Sequence, residues 1–409
     1  MERRANLKKL IIPKITIISL FSFAIMLFMF LGATDFINRY YYCVYIAFLF
    51  FVITPQRKFY INGTFLLLVF FSMSIMIFNP ESHKTFTNMI RPFTYPICYF
   101  MGLNVFNNRK SSSQYDLGRE EKNLRGALYL MTAGFAVHFF LNMFTNMDAT
   151  DRNVVDFWTG KVMSATGQAT LACLLVGIIA AFLFSNSGKK KKILAIILLV
   201  AIVWYNLVLA GRTLFIFIVL MFVLAFLFRS IVTKKKIFST LFVLLLIFAA
   251  VLMLYNMNAF GIKTAFENSN FYDRFFGGKY SQDIDSDKRG EYKLEYLKHF
   301  FDHPFGGRNI YATVGHSAHD LYLDTYDESG IFTLIAIVAF IVVSLSHMFQ
   351  FIKLKVASFE TRQLVFCTYI IVNIQFWLEP IMRGMPWLLA TYCFIDGVLT
   401  NVLKKEKNH

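Results

Sequence analysis

Charged side chains are scarce in this sequence. Asp, Glu, Lys and Arg make up 16% of its 409 residues, whereas 57% are hydrophobic and the mean hydropathy is +0.53. A soluble domain of this length would carry more charge and fewer long apolar runs. Segments such as 193–209 and 237–255 approach the length of about 20 apolar residues that spans a bilayer. The composition therefore excludes an ordinary soluble protein and predicts an all-α polytopic membrane protein.

Cysteine is also rare, and none of it occurs in a polar loop. All the cysteines lie in apolar segments, which excludes a disulfide framework and a Cys-based metal site. They are Cys43, Cys98, Cys173, Cys367 and Cys393. The sequence contains no P-loop, no Gly-rich dinucleotide-binding turn and no nucleophile elbow. We therefore expect no cofactor.

Metal sites are not predicted either. Asp283, Asp285 and Asp287 alternate as in a calcium loop, but Lys288 and Leu294 occupy the positions of the required Gly and Glu. Three histidines of the same region lack a zinc-site spacing with a carboxylate or Cys, and we expect them at the surface or at an interface. They are His299, His303 and His316.

The apolar pattern predicts about twelve transmembrane helices in a single membrane domain that covers residues 1–409. The basic start, MERRANLKKLIIPK, resembles the beginning of a signal peptide, but Leu31 disfavours cleavage, so we expect a retained first helix. The predicted helices are 14–33, 41–54, 61–79, 88–106, 124–143, 163–186, 193–210, 212–229, 237–257, 330–352, 363–379 and 386–403.

The distribution of charge predicts the orientation of these helices. With both termini in the cytoplasm, the inner segments contain 26 of the 41 Lys and Arg residues but only six of the 25 acidic residues. Each inner loop is then positive, as the positive-inside rule requires. The net charge of +16 is therefore mainly a signal of topology, and we expect no nucleic-acid partner.

Residues 258–329 form the main predicted external loop. Its middle, GEYKLEYLKHFFDHPFGGR, has Leu294, Leu297 and Phe301 at helical spacing, and Pro304 with the following glycines ends the pattern. This predicts an amphipathic helix that lies on the outer membrane surface or covers a cavity.

The end of that loop, AHDLYLDTYDESG, contains our main catalytic candidate, His319. An imidazole can take a proton from a hydroxyl near neutral pH, and a carboxylate such as Asp320 could orient it. If the stretch is helical, Tyr322 shares a face with His319. The alternative interpretation is a solvated helix start whose acids stabilise the positive end of the helix dipole.

Other polar residues stand near or within the apolar segments. Arg212, in LAGRTLF, begins an apolar helix at its outer end and suits either an anion site or an interfacial anchor. Glu379 and Arg383, in WLEPIMRGMPW, are predicted at the outer surface, where they could pair with each other. The intramembrane polar groups are expected to face the bundle interior or a cavity. They are Asn373, Gln375 and Asp396.

Taken in order, these elements resemble the O-antigen ligase and polysaccharide polymerase superfamily of bacterial envelope biosynthesis. The matching elements, across residues 160–400, are an outer helix start GRTLF, a large external loop, DHPFGGRNIY, and AHDLYLDTYDESGIFTLIAIVAF. Asp320 departs from the pattern, because the family more often has Asn there.

The resemblance implies the architecture of a GT-C-like, lipid-dependent membrane glycosyltransferase in the bacterial plasma membrane. Its substrate would be a glycan on undecaprenyl pyrophosphate, gripped by Arg212 and Arg289, with His319 activating the acceptor hydroxyl. Asp320 would assist His319, and Arg383, Glu379 and Tyr322 are secondary candidates. Membrane lipids and a chain-length regulator protein are the other expected partners.

Two activities fit this resemblance. A polymerase joins repeat units on the lipid carrier, whereas a ligase transfers the finished chain to lipid A core or another acceptor. The richness in Phe, Lys, Ile and Asn suggests an AT-rich genome and a Gram-positive host without lipid A, which favours the polymerase. A transporter or flippase for envelope glycans is the alternative of another class, but neither internal repeats nor matching interrupted helices are present.

Overall fold

The computed structural model describes residues 14–54, 59–106, 117–148, 152–233, 253–258, 261–269, 272–273 and 289–407. These residues are mainly helical. The N-terminal helices are α1 (Lys14–Ala33), α2 (Tyr40–Ile53), α3 (Gly63–Phe78), α4 (Phe86–Ile90), α5 (Thr94–Asn104) and α6 (Leu117–Thr145). Strands β1 (Asn153–Val155) and β2 (Val162–Ser164) then form an antiparallel hairpin.

The rest of the described chain is again helical, and 3₁₀ turns occur at Phe36–Asn38, Pro80–His83 and Arg91–Phe93. The helices are α7 (Ala165–Phe184), α8 (Lys189–Val208), α9 (Arg212–Thr233), α10 (Ile262–Glu267), α11 (Arg289–Lys298), α12 (Asn309–Val314), α13 (Leu321–Lys353), α14 (Phe359–Leu378), α15 (Ile381–Gly384) and α16 (Pro386–Lys407).

Six of these helices are long and apolar enough to cross a membrane, which indicates a multi-pass membrane protein. The qualifying segments are Gly118–Thr145, Ala165–Phe184, Lys189–Val208, Arg212–Val232, Leu321–Lys353 and Pro386–Glu406. Shorter apolar helices cover Ser19–Ala33, Tyr40–Ile53 and Gly63–Phe78.

The predicted helix positions agree with the structure except in two places, and one predicted helix lies mostly outside the described residues. The predicted helix 88–106 is broken into α4, a 3₁₀ turn and α5, because Pro92 and Pro96 cannot donate backbone hydrogen bonds. The helix predicted at 330–352 begins earlier, at Leu321, so the expected loop 258–329 ends in a helix. Most of the predicted ninth helix, 237–257, lies outside the described residues.

Gly330 explains why the start of α13 was placed too late. Its φ of 78° and ψ of −174° are not helical, so α13 is two helical pieces joined at a kink. The conformation is one that glycine adopts without strain. A Cβ at this position would also lie 2.6 Å from the carbonyl oxygen of Pro304, so both backbone and packing require glycine.

Helix α16 is buried by the surrounding helices from Pro386 to Leu403. Its Gly397 and Gly102 of α5 let the two backbones approach closely, as small residues do in membrane helix pairs. A Cβ at Gly102 would lie 2.1 Å from the carbonyl oxygen of Phe394, and one at Gly397 would lie 2.2 Å from that of Tyr99.

The Gly102→Ala substitution is therefore expected to destabilise the bundle by about 1–3 kcal/mol or more, because a backbone atom must move to admit the methyl group. The matched control is Gly126→Ala in α6, where an added Cβ meets nothing within 4 Å. That change should be neutral or slightly stabilising. Thermal unfolding in detergent measures both, and equal melting temperatures would contradict the packing described for α5 and α16.

Contacts between loops group them as the charge pattern predicts. At one end of the bundle, Glu121 accepts a hydrogen bond from the Ser358 backbone N–H at 2.9 Å, and Lys405 pairs with Glu120 at 2.9 Å. At the other end, Arg308 pairs with Glu81 at 3.2 Å. Each contact joins segments predicted to lie on the same side of the membrane. Which end faces the cytoplasm stays a prediction from charge.

Candidate functional site

A cavity of about 350 Å³ opens at the end of the bundle where the predicted external segments meet, and we call it the histidine pocket. It is formed by the segment after α1, the β1–β2 hairpin, the start of α7 and the segment between α14 and α16. Its polar lining residues are Asp35, Asn38, His138, Asp156, Thr159, Lys161, Ser164, Thr166, Thr170, His319 and Glu379. Trp387 and several aliphatic side chains complete the wall.

The predicted catalytic residue His319 lies in this pocket, immediately before α13. The turn around it is fixed by two acids: Asp324 accepts a hydrogen bond from the Ala318 backbone N–H at 3.0 Å, and Asp320 accepts one from the Leu323 N–H at 2.7 Å. His319 therefore lies outside the helix, with a left-handed φ of 58°. The expectation that His319 shares a helical face with Tyr322 is wrong, because α13 begins only after Asp320.

Asp320 is buried and acts as the N-cap of α13. Burial raises its pKa, while the Leu323 N–H and the Lys293 ammonium oppose that rise. Lys293 lies 3.2 Å from the carboxylate and also donates to the Trp377 carbonyl at 2.8 Å. Asp320 thus joins α11, α13 and the end of α14, and it does so as a buried group rather than as part of a solvated helix start.

Tyr322 and His316 have structural surroundings outside the histidine pocket. The Tyr322 ring contacts the Trp377 ring at 4.7 Å between centroids, so it packs α13 against α14. His316 is exposed and stacks on Tyr292 at 3.9 Å. The two histidines of the motif are therefore distinguished by position, since only His319 lines the cavity.

A buried His–Asp pair in the histidine pocket was not predicted from the sequence. His138 Nε2 lies 2.6 Å from Asp156 Oδ2, and both side chains are almost fully buried. Asp156 also accepts hydrogen bonds from the Thr159 N–H at 2.9 Å and hydroxyl at 2.8 Å. Burial opposes ionisation, but the bonds from His138 and Thr159 outweigh it and lower the Asp156 pKa to about 2. The pair fixes the hairpin against α6.

The pKa of Asp35 is shifted in the opposite direction to that of Asp156. It is buried, and desolvation raises its pKa to about 7, although the Tyr40 N–H and the Arg91 charge favour the ionised form. Asp156 adds to the rise because it is a like charge. Asp35 therefore changes ionisation near neutral pH inside the pocket.

The Asp35→Asn substitution should stabilise the protein more at pH 8 than at pH 5. A carboxyl whose folded pKa is raised contributes stability below its unfolded pKa, and that stability is lost as the pH rises through about 7. Asn cannot ionise but can still accept the Tyr40 N–H bond, which Asp35 Oδ1 accepts at 3.2 Å. Melting temperatures of both proteins across this pH range are the measurement, and parallel curves would contradict the raised pKa.

Backbone strain is concentrated around the pocket. Three of its lining residues have a positive φ although they are not glycine: Asp35 at 49°, Asn38 at 56° and His319 at 58°. Such conformations cost free energy and persist where the surrounding structure enforces them, often at functional sites. The observation supports a functional role for this cavity independently of its titratable groups.

A second cavity of about 400 Å³ lies on the other side of the segment that contains α15, and we call it the arginine pocket. Its polar lining residues are Asn79, Glu81, Ser82, Asn88, Arg91, Tyr95, Arg308, Glu328 and Arg383. Glu379, Ile381 and Trp387 line the histidine pocket, whereas Met382, Arg383 and Pro386 line the arginine pocket. One short segment therefore separates the two cavities.

The predicted pairing of Arg383 with Glu379 is wrong. Arg383 donates from Nε to Glu328 at 2.7 Å and from Nη2 to Asp327 at 3.1 Å. Burial opposes the charged guanidinium, but the charges of Glu328 and Asp324 and the Glu328 hydrogen bond outweigh it and raise the pKa of Arg383. The sequence does not reveal this pairing, because neighbouring residues of α15 line different cavities: Ile381 lines the histidine pocket, and Arg383 lines the arginine pocket.

The two motifs of the external loop, DHPFGGRNIY and AHDLYLDTYDESG, contact each other directly. The Ile331 N–H donates to the Pro304 carbonyl at 2.8 Å, and the Arg308 N–H donates to the Asp327 carbonyl at 2.7 Å. Asp327 also accepts the Ile310 N–H at 3.0 Å, at the start of α12. The first motif thus packs against the kink of α13.

The two predicted pyrophosphate ligands begin helices. Arg212 is the first residue of α9 and follows Gly211, whose carbonyl accepts the Asn206 side-chain amide at 2.7 Å. Arg289 is the first residue of α11, and its side chain lies outside the described part of the chain. Arg212 lines neither of the two pockets.

The predicted intramembrane polar groups face the bundle interior. Asp396 is fully buried and accepts a hydrogen bond from the Tyr369 hydroxyl at 2.9 Å, with His347 Nδ1 at 3.2 Å. Asn373 donates to the Tyr392 hydroxyl at 3.0 Å. These bonds satisfy part of the polar groups, while Asn373 Oδ1 and Gln375 Oε1 are buried without a hydrogen-bond partner among the described residues.

Comparison of the sequence with models of known protein families gave no match, and a search of curated proteins found none either.

Proposed function

We propose that the protein is a polysaccharide polymerase of the bacterial plasma membrane. It would join undecaprenyl-pyrophosphate-linked oligosaccharide repeat units at the outer face, as a GT-C-like glycosyltransferase with about twelve spans and cytoplasmic termini. One observation carries the proposal: His319, chosen from the sequence motif, lines a cavity together with a buried His–Asp pair and Trp387. Carboxylates, hydroxyls and an aromatic face are groups that suit a sugar, and the strained backbone there indicates a functional site.

The proposed chemistry needs no redox step. His319 takes the proton of the acceptor hydroxyl while that oxygen bonds to the anomeric carbon of the donor. The bond from that carbon to the pyrophosphate oxygen breaks, and the carrier pyrophosphate leaves with the electron pair. Asp320 would act through the backbone, because its cap on Leu323 fixes the turn that carries His319. Glu379 in the same pocket is placed to bind a sugar hydroxyl.

Arg212 and Arg289 remain the proposed ligands of the donor pyrophosphate. Both begin helices, where backbone N–H groups and the helix dipole favour an anion. Arginine suits this role because its planar group meets two phosphate oxygens at once.

The Arg212→Lys substitution is accordingly expected to lose most of the activity although the charge is kept, by about 10-fold or more if one charge-assisted hydrogen bond is lost. Chain length of the product, at equal protein levels in the membrane, is the measurement. Wild-type chain length with lysine would make Arg212 an interfacial anchor only.

Deletion of the gene tests the proposed function in the cell, where the lipid-linked and surface glycans are analysed. Single repeats left on the carrier support the polymerase. Full-length chains stranded on the carrier would identify a ligase instead. Lipid-linked repeats that accumulate on the cytoplasmic leaflet would identify a flippase, and an unchanged glycan would refute all three activities.

A further inference from the structure

The arginine pocket contains cationic groups that its acidic residues do not fully neutralise. Among the described residues, no carboxylate forms an ion pair with Arg91, whose Nε donates to the Tyr40 hydroxyl at 3.3 Å. Arg308 pairs with Glu81 through Nη1, but its Nε is buried and has no hydrogen-bond partner in the described structure. Because a guanidinium has five N–H donors, both residues retain donors for a further acceptor.

The two acids of the pocket are already engaged. Glu328 accepts hydrogen bonds from Arg383 at 2.7 Å and from Asn79 at 3.4 Å. Glu81 accepts from Lys84 at 2.7 Å as well as from Arg308. An anion that enters the cavity would therefore meet Arg91 and Arg308 with limited repulsion from carboxylates.

The geometry of the pocket is fixed before any ligand binds. Arg308 has a left-handed φ of 62°, and Asp327 holds its backbone N–H. The guanidinium carbons of Arg308 and Arg383 lie 5.3 Å and 4.9 Å from the centre of the same Tyr311 ring, which holds the two groups near each other. The volume of about 400 Å³ is that of a small-molecule site.

We infer that the arginine pocket is a second pyrophosphate site, which binds the carrier pyrophosphate of the acceptor substrate. The inference rests on the proposed function, because a polymerase joins two substrates that each carry a lipid pyrophosphate. Arg212 and Arg289 are assigned to the donor, so the acceptor requires a separate anion site beside the catalytic residue. The arginine pocket adjoins the histidine pocket through α15, and planar guanidinium groups match the oxygens of a pyrophosphate.

The test counts binding sites on the purified full chain in nanodiscs of neutral lipid, with radiolabelled geranylgeranyl pyrophosphate as the probe. We expect the wild type to bind two molecules per chain. The Arg91→Gln/Arg308→Gln variant should retain one, and the Arg212→Gln variant should lose the other. The matched control is Lys298→Gln, which removes an exposed cation that does not line the cavity and pairs with no acid among the described residues. It should still bind two.

Competition experiments distinguish a pyrophosphate site from a phospholipid headgroup site. Inorganic pyrophosphate should displace the probe from the arginine pocket, whereas nanodiscs that contain phosphatidylglycerol should not abolish binding. If phosphatidylglycerol displaces the probe as well as pyrophosphate does, the cavity is a phospholipid headgroup site and the inference is wrong. If the double variant binds as many probe molecules as the wild type, the inference is also wrong.

Kinetics separate this inference from the proposed function. With lipid-linked repeat units as substrates, Arg91→Lys and Arg308→Lys should raise the KM for the acceptor by about 10-fold or more, and the KM for the donor should not change. If the glutamine variants fail to fold, the lysine variants replace them in the binding measurement. If the wild type does not elongate the lipid-linked repeat unit, the proposed polymerase activity is refuted. Even then, loss of one bound probe molecule in the Arg91→Gln/Arg308→Gln variant would identify the second pyrophosphate site. An equal rise of both KM values would refute the assignment to the acceptor.

Discussion

Replacement of His319 by alanine is expected to lower the rate of chain elongation by about 10²–10⁴-fold, the usual contribution of a general base. The imidazole lines the histidine pocket, and the turn that presents it is held by Asp320 and Asp324 through backbone N–H groups. Loss of the ring should therefore leave membrane insertion and donor binding intact. Elongation of a lipid-linked repeat unit by purified variants is the measurement.

The matched control is His316→Ala, three positions earlier in the same motif. His316 is exposed, and the bond between its backbone carbonyl and the Tyr296 hydroxyl, 2.7 Å long, survives the substitution. Its effect on elongation should be mild. Asp320→Asn should also be tolerated, because an Asn side chain can still cap α13. Normal elongation by His319→Ala together with an inactive His316→Ala would show that the wrong histidine was assigned.

The largest effect on stability is expected from Asp156→Ala. The substitution leaves His138 buried without its partner and removes the acceptor of both Thr159 hydrogen bonds. A buried donor left without its acceptor typically costs about 1–3 kcal/mol, and the bonds from His138 and from the Thr159 N–H and hydroxyl are all lost here. The free energy of unfolding in detergent should fall by that amount, and elongation should fall with it because the hairpin wall of the histidine pocket is lost.

A second His–Asp pair provides the control. His299 and Asp302 are 2.8 Å apart, but both side chains are exposed, so Asp302→Ala should change the stability little. The His138→Ala/Asp156→Ala double variant should lose less stability than the two single changes predict together, because the two side chains are in contact. Additive losses would show that the buried pair does not act as a unit.

The helical, multi-pass character of the chain was predictable from its hydropathy. Apolar runs predicted the helices, and the bias in Lys and Arg predicted which loops would meet, as the contacts of Glu121 with Ser358 and of Arg308 with Glu81 show. The error at the start of α13 has a local cause. Residues 321–329 carry several acids and read as a loop, yet Asp327 and Glu328 are buried because Arg383 pairs with both from a distant segment.

The candidate site was predictable only in part. His319 was found because an acid-rich polar stretch stands out in an apolar chain. His138 was not found, because it is a lone histidine in an apolar helix whose partner, Asp156, is brought to it by the β1–β2 hairpin. Arg91 and Arg308 were missed for a related reason. Arg91 stands near the start of the predicted helix 88–106 and Arg308 in the predicted external loop, and only the fold places both beside one cavity.

The most direct test of the proposed activity is elongation by the purified protein alone. The chain is placed in nanodiscs and supplied with one undecaprenyl-pyrophosphate-linked repeat unit, and the products are separated by size. A polymerase yields a ladder of lipid-linked oligomers and releases undecaprenyl pyrophosphate in step with each bond formed, and His319→Ala yields neither. A wild-type protein that binds the repeat unit but leaves it as a single unit, with no carrier released, would contradict the proposal.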